Sequence, residues 1–341
     1  MPVDPNQPIA RVVVLNWNGR RWLERCLSAL KAQTFREFEV VVVDNASSDG
    51  SADFVRERFP EYSVLQLSAN VGFAAGNNAG ARNATATYLA FLNNDTEVDP
   101  AWLATLVDVA ERDPSVGLVA SHIVFMDPPG IVDSAGDGYL RCGGGFKRGY
   151  GQPVSGKHGV EEVFGACGAG FLIHRSLFEL IGGFDEDFFV VYEDVDLSYR
   201  ARLAGARSVC AFDAVVRHAG SASLGRVSTA AVYYGQRNLE WTWIKNSPPG
   251  LLLRSFPSHM LYDLAGLIAY ARAGHLGAWI RAKGAALAGL PSMLRKRRKI
   301  QGATALDPKS LWALMEPDWI GVKRREKAFA FRRDLDPAKS G

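Results

Sequence analysis

Along residues 10–125, short continuous apolar runs alternate with segments in which apolar residues recur at helical spacing. A run of about four to eight apolar residues is typical of a strand buried on both faces, and the helical spacing is typical of an amphipathic helix. The predicted strands are residues 11–15, 39–43, 64–67, 88–92 and 116–124. The predicted helix faces are Leu23, Cys26, Leu27 and Leu30; Phe54, Val55 and Phe59; and Trp102, Leu103, Leu106, Val107 and Ala110. This order predicts an α/β fold with a doubly wound, mostly parallel sheet.

The pattern becomes less regular after Pro128 and Pro129. Residues 130–159 are rich in glycine and predict loops with short strands. A buried strand is predicted at 163–173, a short helix at 177–181 and an aromatic helix at 230–245. We therefore expect a compact part over residues 1–245, with halves at 10–125 and 126–245, and a helical C-terminal extension over 246–341.

Polar residues follow the predicted strands of the first half, at Asn16, Asp44, Asn70 and Asp95. The carboxyl ends of parallel strands meet at one edge of a sheet, where ligands bind in open α/β folds. Asp99 and Pro100 then predict the cap and first position of a helix. No GxGxxG follows the first strand, and no Walker lysine motif is present, so a dinucleotide or P-loop site is not indicated. A simple polar turn at residues 93–95 remains an alternative.

A second polar cluster begins at Glu193 and contains Asp194, Asp196 and Arg200. Adjacent carboxylates repel one another unless a base role, a cation or a nearby arginine accounts for them. The alternative is a solvated helix start, where acidic residues are favourable. His218 follows another apolar run and is either a structural histidine or a metal ligand with a nearby carboxylate.

The composition, with 48% hydrophobic and 22% charged residues among 341, is that of a globular protein with a sizeable core. Four cysteines lie far apart and predict reduced, buried thiols. The first ten residues lack the pattern of a signal peptide, and no apolar run is long enough to span a bilayer. The net charge is +3, yet residues 264–306 contain eight basic residues and no acidic one. This basic segment is the most unusual feature of the composition.

Six short motifs occur in order along the chain, and together they resemble family-2 glycosyltransferases of the GT-A fold, in particular the bacterial rhamnosyltransferase-like branch. The motifs are VVVLNWNG at 12–19, DNAS at 44–47, NVGFAAGNN at 70–78, NNDT at 93–96, GGFD at 182–185 and YED at 192–194. The resemblance covers residues 11–245 and is only loose in the C-terminal third.

The resemblance implies an inverting transfer of a sugar from a nucleotide-sugar donor. Asn16 and Asp44 would hold the base and ribose. The donor-binding residues that it implies are Asn16, Asn18, Asp44, Asn45, Asn70, Gly72, Gly76, Asn77, Asn94, Asp95 and Arg237.

The resemblance also implies a divalent metal, Mg²⁺ or Mn²⁺, which would bridge the donor diphosphate. Asp95 matches the last acid of the family's DxD motif, and Asn93 replaces the first. A single carboxylate is workable for Mg²⁺ because substrate phosphates supply further ligands, and His218 would be the second protein ligand. Asp194 matches the catalytic base, with Glu193, Asp196 and Arg200 as possible support.

We expect a cytoplasmic rhamnosyltransferase that uses dTDP-L-rhamnose and acts on a glycan or lipid-linked saccharide in cell-envelope polysaccharide synthesis. A UDP-hexose or UDP-N-acetylhexosamine donor, or a nucleotide-sugar-binding protein without catalysis, are the alternatives. Residues 281–299 predict attachment to the anionic inner face of the plasma membrane, with a basic helix packed on the body as the alternative. A nucleic-acid partner is not expected, because no recognisable module is present. A homodimer remains open.

Overall fold

In the computed structural model, which describes residues 7–220 and 228–334, the alternating pattern forms strands and helices as predicted. The strands are β1 (Ala10–Asn16), β2 (Phe38–Asp44), β3 (Ser63–Gln66), β4 (Tyr88–Asn93), β5 (Thr96–Val98), β6 (Val116–Phe125), β7 (Val132–Ala135), β8 (Asp137–Tyr139), β9 (Gly145–Lys147), β10 (Val160–Glu162), β11 (Gly170–His174) and β12 (Arg207–His218).

The helices follow the strands in the first half and dominate the C-terminal third. They are α1 (Arg20–Lys31), α2 (Ser51–Arg58), α3 (Gly72–Ala81), α4 (Trp102–Arg112), α5 (Arg175–Leu180), α6 (Glu193–Leu203), α7 (Thr229–Asn246), α8 (Pro249–Arg272), α9 (Leu276–Gly302), α10 (Pro308–Leu314) and α11 (Trp319–Asp334). The buried face of α1 consists of the four residues that its periodicity predicts, Leu23, Cys26, Leu27 and Leu30.

The main sheet of the described residues has the order β10-β12-β6-β11-β4-β1-β2-β3. Strands β3, β2, β1 and β4 pair in parallel, and so do β6 and β12. Strand β11 lies antiparallel between β4 and β6, so both parallel groups run in the same direction. The predicted α/β fold with a mostly parallel sheet is therefore confirmed. One core cluster includes α1 and α4 on one face of the sheet, and a second includes Ala74 of α3 with Phe178 and Phe184 on the other.

Two boundaries predicted from the sequence are wrong. In each case a contact with a side chain from another segment replaces a hydrogen bond expected within the helix or the strand. Helix α4 begins at Trp102 and not at Pro100, since the Asp99 carboxylate pairs with Arg217 on β12 instead of capping helix amides. The predicted strand 163–173 is a strand only from Gly170. In the segment before it, the amide of Ala166 donates to a serine hydroxyl of α6 (3.1 Å).

The C-terminal helices pack against the body of the protein. Helix α9 buries Ala278, Ala282, Ala286 and Met293, and its contacts are mainly with α7. Leu251 of α8 and Leu311 of α10 share a core cluster with Tyr199 of α6. The domain boundary after residue 245 stays a prediction. No helix within the described ranges combines the length and apolarity needed to cross a membrane. The four cysteines are free and buried, as the sequence predicts.

Candidate active site

Several polar residues at the strand ends are joined by side-chain hydrogen bonds, as expected from the parallel sheet. Asn16 and Asp44 are paired across β1 and β2, and Asn16 Nδ2 donates to Asp44 Oδ1 (3.3 Å). Asn94 Nδ2 donates to Asn16 Oδ1 (2.6 Å), and Asn45 Nδ2 donates to Asn70 Oδ1 (3.0 Å). The network fixes the floor of a cavity at the carboxyl ends of the strands.

This cavity has a volume of about 450 Å³, and half of the residues that the resemblance implicates in chemistry line it. Of the predicted site residues, it is lined by Asn45, Asn70, Gly72, Asn94, Asp95, Glu193, Asp194 and His218. The predicted metal ligands and the predicted base therefore lie in one cavity, although they come from distant parts of the chain.

The other predicted donor-binding residues do not line the cavity. Asn16 and Asp44 are buried beneath it in the hydrogen-bond network. Asn18 Oδ1 accepts a hydrogen bond from the Ser48 amide (2.8 Å) and so ties the loop after β1 to the loop after β2. Asn77 is buried within α3, where its Nδ2 donates to a backbone carbonyl one turn earlier (3.0 Å). These residues shape the site from behind, and their contact with a donor stays a prediction.

Two glycines permit close approaches of α3. At Gly76 a Cβ would lie 2.5 Å from Leu15 Cδ1, so this glycine lets α3 pack tightly on β1. At Gly72, where φ is +84°, a Cβ would lie 2.5 Å from the ring of Phe189 on the cavity wall. A side chain at either position would push apart the elements that frame the cavity.

A chain of alternating charges runs from the cavity into the protein. His218 Nε2 lies 3.3 Å from Asp95 Oδ1, and His218 Nδ1 lies 2.7 Å from Asp133 Oδ2. Lys147 Nζ is 2.8 Å from the other oxygen of Asp133. Burial alone would lower the pKa of His218, but the hydrogen bonds to Asp133 and Asp95 outweigh it and raise the pKa to about 9. With no cation bound, His218 is therefore protonated at neutral pH.

Asp95 and His218 fit a site for a divalent cation. Their side chains offer a carboxylate oxygen and an imidazole nitrogen that face each other, and the donor phosphates would add the oxygen ligands that Mn²⁺ and Mg²⁺ prefer. Asp133 holds the other ring nitrogen of His218, an arrangement that orients histidine ligands in metalloproteins. A cation would take the place of the proton on His218 Nε2.

Another group of potential ligands among the described residues, Asp137, Cys167 and Asp194, has its ligand atoms within 4.8 Å of one another. Burial raises the pKa of Asp137 and of Cys167 well above their usual values, which disfavours the deprotonated forms that bind a cation. A thiol is also a soft ligand that suits Mg²⁺ and Mn²⁺ poorly. Asp95 and His218 are therefore the better match to the predicted metal.

Asp194 lies in the first turn of α6, where backbone amides hold its carboxylate. Oδ2 accepts a hydrogen bond from the Gly168 amide (2.7 Å), and Oδ1 accepts one from the Val195 amide (2.8 Å). Burial raises the pKa of Asp194, and the two amides counteract this effect. A carboxylate with a raised pKa and a fixed orientation is suited to accept a proton from an acceptor hydroxyl.

Glu193 is buried next to this carboxylate, and its Oε2 has no hydrogen-bond partner among the residues that the structure describes. Burial, followed by the charge of Asp194, raises the pKa of Glu193 well above its usual range. This shift favours the protonated form of Glu193, whereas two backbone amides stabilise the charged form of Asp194, so Asp194 is the better candidate for the base.

Asp196 and Arg200 do not reach the cavity, although the sequence places them beside Asp194. Arg200 Nε donates to Asp196 Oδ2 (2.8 Å), and Lys245 Nζ lies 2.7 Å from Asp196 Oδ1. Both side chains of the Asp196–Arg200 pair are at least nine-tenths buried. Side chains two positions apart point in different directions on a helix, so Asp196 points away from Asp194. Through Lys245 the pair connects α6 to α7, and it supports the base only indirectly.

The segment 187–192 forms the cavity wall next to the base and has an unusual backbone. Phe189, Val191 and Tyr192 all have positive φ values, between 63° and 74°. Asn238 of α7 is fully buried and donates from Nδ2 to the carbonyls of Phe188 (2.9 Å), Val190 (3.0 Å) and Val191 (2.6 Å). Such a backbone persists only where its surroundings hold it.

Arg237, which is predicted to bind the sugar donor, also holds the segment 187–192 in place. Its Nη2 donates to the carbonyls of Asp187 and Phe188 (both 2.9 Å), and its guanidinium lies 4.2 Å from the ring centre of Trp241. The guanidinium is therefore already engaged by carbonyls and an aromatic ring, and it does not line the cavity.

Replacing Asn238 with Ala is expected to lower both stability and turnover. Loss of its amide leaves buried carbonyls unpaired, which costs about 1–3 kcal/mol, and it releases the strained wall beside Asp194. Thermal unfolding and kcat should be measured together. Gln236→Ala on the same helix is the matched control and should change neither strongly. An Asn238→Ala protein with parental kcat would show that the segment keeps its shape without this residue.

Among the cavity residues that sequence reasoning did not select, Trp17 and Lys147 have side chains suited to a nucleotide sugar. Trp17 was visible in the first motif, and its exposed indole (44% accessible) offers a flat surface for a nucleobase. Lys147 lies in the glycine-rich segment, where no local pattern marks it. Only the pairing of β9 with β8 and the contact with Asp133 bring its ammonium to the site.

The family model described as Glycosyl transferase family 2 matches residues 11–182, about half of the chain. The chain is 36% identical over 217 residues to the O-antigen biosynthesis protein RfbC of Myxococcus xanthus, an alignment that covers 59% of this chain and 16% of that protein. It is 30% identical over 239 residues to the N-acetylglucosaminyl-diphospho-decaprenol L-rhamnosyltransferase of Mycobacterium tuberculosis (strain ATCC 25618 / H37Rv). That alignment covers 63% of this chain and 77% of that protein. The chain thus spans about a sixth of the myxococcal protein and about three quarters of the mycobacterial one.

Two solved structures have a similar fold. One is GalNAc-T7 with UDP, GalNAc and Mn²⁺, with a TM-score of 0.57 and 18% identity over 70% of this chain and 48% of that chain. The other is the mannosyltransferase PcManGT of Pyrobaculum calidifontis in complex with GDP-Man and Mn²⁺. It has a TM-score of 0.53 and 21% identity over 97% of this chain and 88% of that chain. Likeness at this level of identity shows the fold alone, and it confirms the predicted GT-A fold.

Proposed function

Since this chain belongs to glycosyl transferase family 2 and is a glycosyltransferase, we propose that it transfers L-rhamnose from dTDP-L-rhamnose to a saccharide acceptor in cell-envelope polysaccharide synthesis. The observation that carries the proposal is the joint presence of Asp95, His218 and Asp194 in one cavity of about 450 Å³. The choice of rhamnose is supported by the mycobacterial relative, which is named as an L-rhamnosyltransferase.

In the proposed reaction the donor lies across the carboxyl ends of the strands. Asn45, Asn70 and Asn94 supply amide groups on the cavity wall, and Trp17 supplies a surface for the base. Asp95 and His218 would hold the divalent cation, which when bound offsets negative charge on the departing nucleoside diphosphate. These residues therefore bind and orient the donor before transfer.

Asp194 performs the proton transfer. The acceptor oxygen attacks the anomeric carbon, the bond from that carbon to the diphosphate oxygen breaks, and the acceptor proton moves to the Asp194 carboxylate. The amides of Gly168 and Val195 hold that carboxylate in place. Phe189, Val190 and Val191 cover the site on one side and limit the access of water. This single displacement would invert the configuration of the anomeric carbon.

We propose a glycan or lipid-linked saccharide as the acceptor, presented at the cytoplasmic face of the plasma membrane. The mycobacterial relative is named for N-acetylglucosaminyl-diphospho-decaprenol, a lipid-linked saccharide. The predicted membrane segment, residues 281–299, lies on α9, and Leu287 and Leu294 of this helix are exposed. Arg295, Arg298 and Lys299 are exposed as well.

Two basic residues of the predicted membrane segment are engaged within the protein. Lys296 pairs with Asp185 and Asp187, and Arg297 Nη1 donates to the carbonyls of Ile244 and Ser247 at the end of α7. Fewer charges are therefore available to lipid headgroups than the five that the sequence suggests.

The donor is tested by thermal-shift and donor-hydrolysis measurements with a panel of nucleotide sugars in Mg²⁺ and in Mn²⁺. We expect dTDP-L-rhamnose to give the largest stabilisation, because binding to the folded state alone raises the melting temperature. UDP-galactose and UDP-N-acetylglucosamine are the matched comparisons. A larger shift with either of them would identify a UDP-sugar transferase, and no shift with any donor would contradict the proposal.

A further inference from the structure

Helix α8 (Pro249–Arg272) has an exposed apolar face that the proposed reaction does not use. Leu253, Leu261 and Leu264 are 79%, 62% and 52% accessible to solvent. Phe256, Met260 and Ile268 are exposed on the same face. These residues follow one another at spacings of one, three and four, so they form one stripe along the helix. An exposed apolar stripe of this length marks an interaction surface.

The opposite face of α8 is packed and fixes how the stripe is oriented. Leu251, Ser255 and His259 are buried. The His259 ring stacks on Trp243 of α7 with the ring centres 3.6 Å apart, and Trp243 Nε1 donates to Ser255 Oγ (2.9 Å). The leucines of the stripe therefore point away from the protein because the rest of the helix is anchored, and not because the helix is loosely attached.

The charges around this face are basic. Arg254 and Arg272 are exposed on α8, and Arg281 and Arg295 are exposed on α9. No acidic residue occurs between residues 264 and 306. Asp263, which lies off the stripe, is paired with Lys283 (2.5 Å). The neighbouring helix α9 adds Ile280 and Leu287 to the exposed apolar residues.

We propose that the apolar face of α8, with its basic rim, docks in the plane of an anionic phospholipid bilayer. Apolar side chains that enter the interface while cations meet anionic headgroups are the hallmark of membrane-surface helices. A second copy of the chain is the less suitable occupant, because a two-fold contact would bring the same basic rim of both copies together. The inference rests on the proposed membrane-presented acceptor and moves the inserting surface from 281–299 to α8.

Flotation with vesicles of phosphatidylcholine, with or without phosphatidylglycerol, tests the proposal. The parental protein should float only with the anionic vesicles and less at high salt. Leu261→Gln with Leu264→Gln should reduce binding by about tenfold or more, as expected when two leucines no longer enter the interface. Leu180→Gln, an equally exposed leucine on α5, is the matched control and should bind as the parent does. Parental flotation of the double variant would overturn the proposal.

A label distinguishes insertion from electrostatic adsorption. All four native cysteines are buried, so Leu264→Cys offers an accessible thiol for an environment-sensitive dye. Its emission should shift to the blue with anionic vesicles, whereas a dye at Leu180→Cys should not respond. An unshifted dye at position 264 on floated protein would refute insertion of α8.

Two further readouts separate this inference from its rivals. Donor hydrolysis without vesicles should be equal in the parent and the double variant, so loss of the proposed activity and loss of membrane docking are distinguishable. Light scattering after size exclusion should give the same mass for both proteins. A parental dimer that the double variant loses would show that a second copy covers this face, and would overturn the membrane proposal.

Discussion

Asp194→Asn is expected to retain the fold and nucleotide binding but to lower sugar transfer by about 10²–10⁴-fold, the usual contribution of a positioned general base. The amide has nearly the shape of the carboxylate, and its oxygen can still accept a hydrogen bond from Gly168 or Val195. The amide is a much weaker base than the carboxylate, so it cannot take the proton from the acceptor hydroxyl at an appreciable rate. Initial rates of transfer and a donor-binding isotherm should be measured on the same preparation.

Glu193→Gln is the matched control for this experiment. Glu193 is buried, and burial raises its pKa well above the usual value, which favours the protonated side chain. A glutamine therefore resembles the protonated side chain, and turnover should remain within a few-fold of the parent. If Asp194→Asn transfers sugar at the parental rate, or if Glu193→Gln loses more activity, the base is Glu193 or another carboxylate.

Removal of the divalent cation is expected to abolish transfer. EDTA should eliminate activity, and Mg²⁺ or Mn²⁺ should restore it, because the bound cation would supply the divalent charge that offsets the negative charge of the leaving diphosphate. Asp95→Ala should weaken donor binding mainly when metal is present, since Asp95 is the carboxylate that would hold it. Titration calorimetry with and without Mn²⁺ separates this effect from a loss of fold.

Asp133→Asn tests the support of the cation site. Asp133 holds Nδ1 of His218 at 2.7 Å, and loss of such a contact typically lowers metal affinity about 10–100-fold. The variant should therefore require more Mn²⁺ for half-maximal activity. Full activity of the parent in EDTA, with metal-free protein verified by elemental analysis, would refute the cation requirement.

Much of the first half of the fold could be predicted because its signals are local. The spacing of Leu23, Cys26, Leu27 and Leu30 defines one helix face without reference to any other segment. A parallel sheet also places strand ends at one edge whatever the strand order, so the meeting of Asn16 with Asp44 followed from the alternating pattern. The GT-A fold and the family were identified on that basis together with the motifs.

Local patterns failed where a side chain from a distant segment competes for the backbone or for a charge. Asp99 is predicted from the sequence to cap a helix, but its carboxylate forms an ion pair with Arg217 on β12. The pairing of Arg200 with Asp196 one turn earlier on α6 is, in contrast, a local contact that the sequence allowed for. Arg237 is predicted to bind the donor; in the structure its Nη2 donates to carbonyls of the segment 187–192, and its contact with a donor stays a prediction.

The sequence by itself determined the α/β class and the family, and it predicts residues with the chemistry for donor, metal and base, since periodicity, motif order and residue type are properties of contiguous segments. Only the tertiary structure decided that His218 faces Asp95, that Lys147 joins the site through Asp133, and that α8 turns its leucines to the outside. Each of these depends on contacts between residues far apart in the chain or on which face of a helix the rest of the protein buries. A local pattern encodes neither the long-range contacts nor the choice of buried face. On α8, for example, the same apolar spacing would also suit a buried helix.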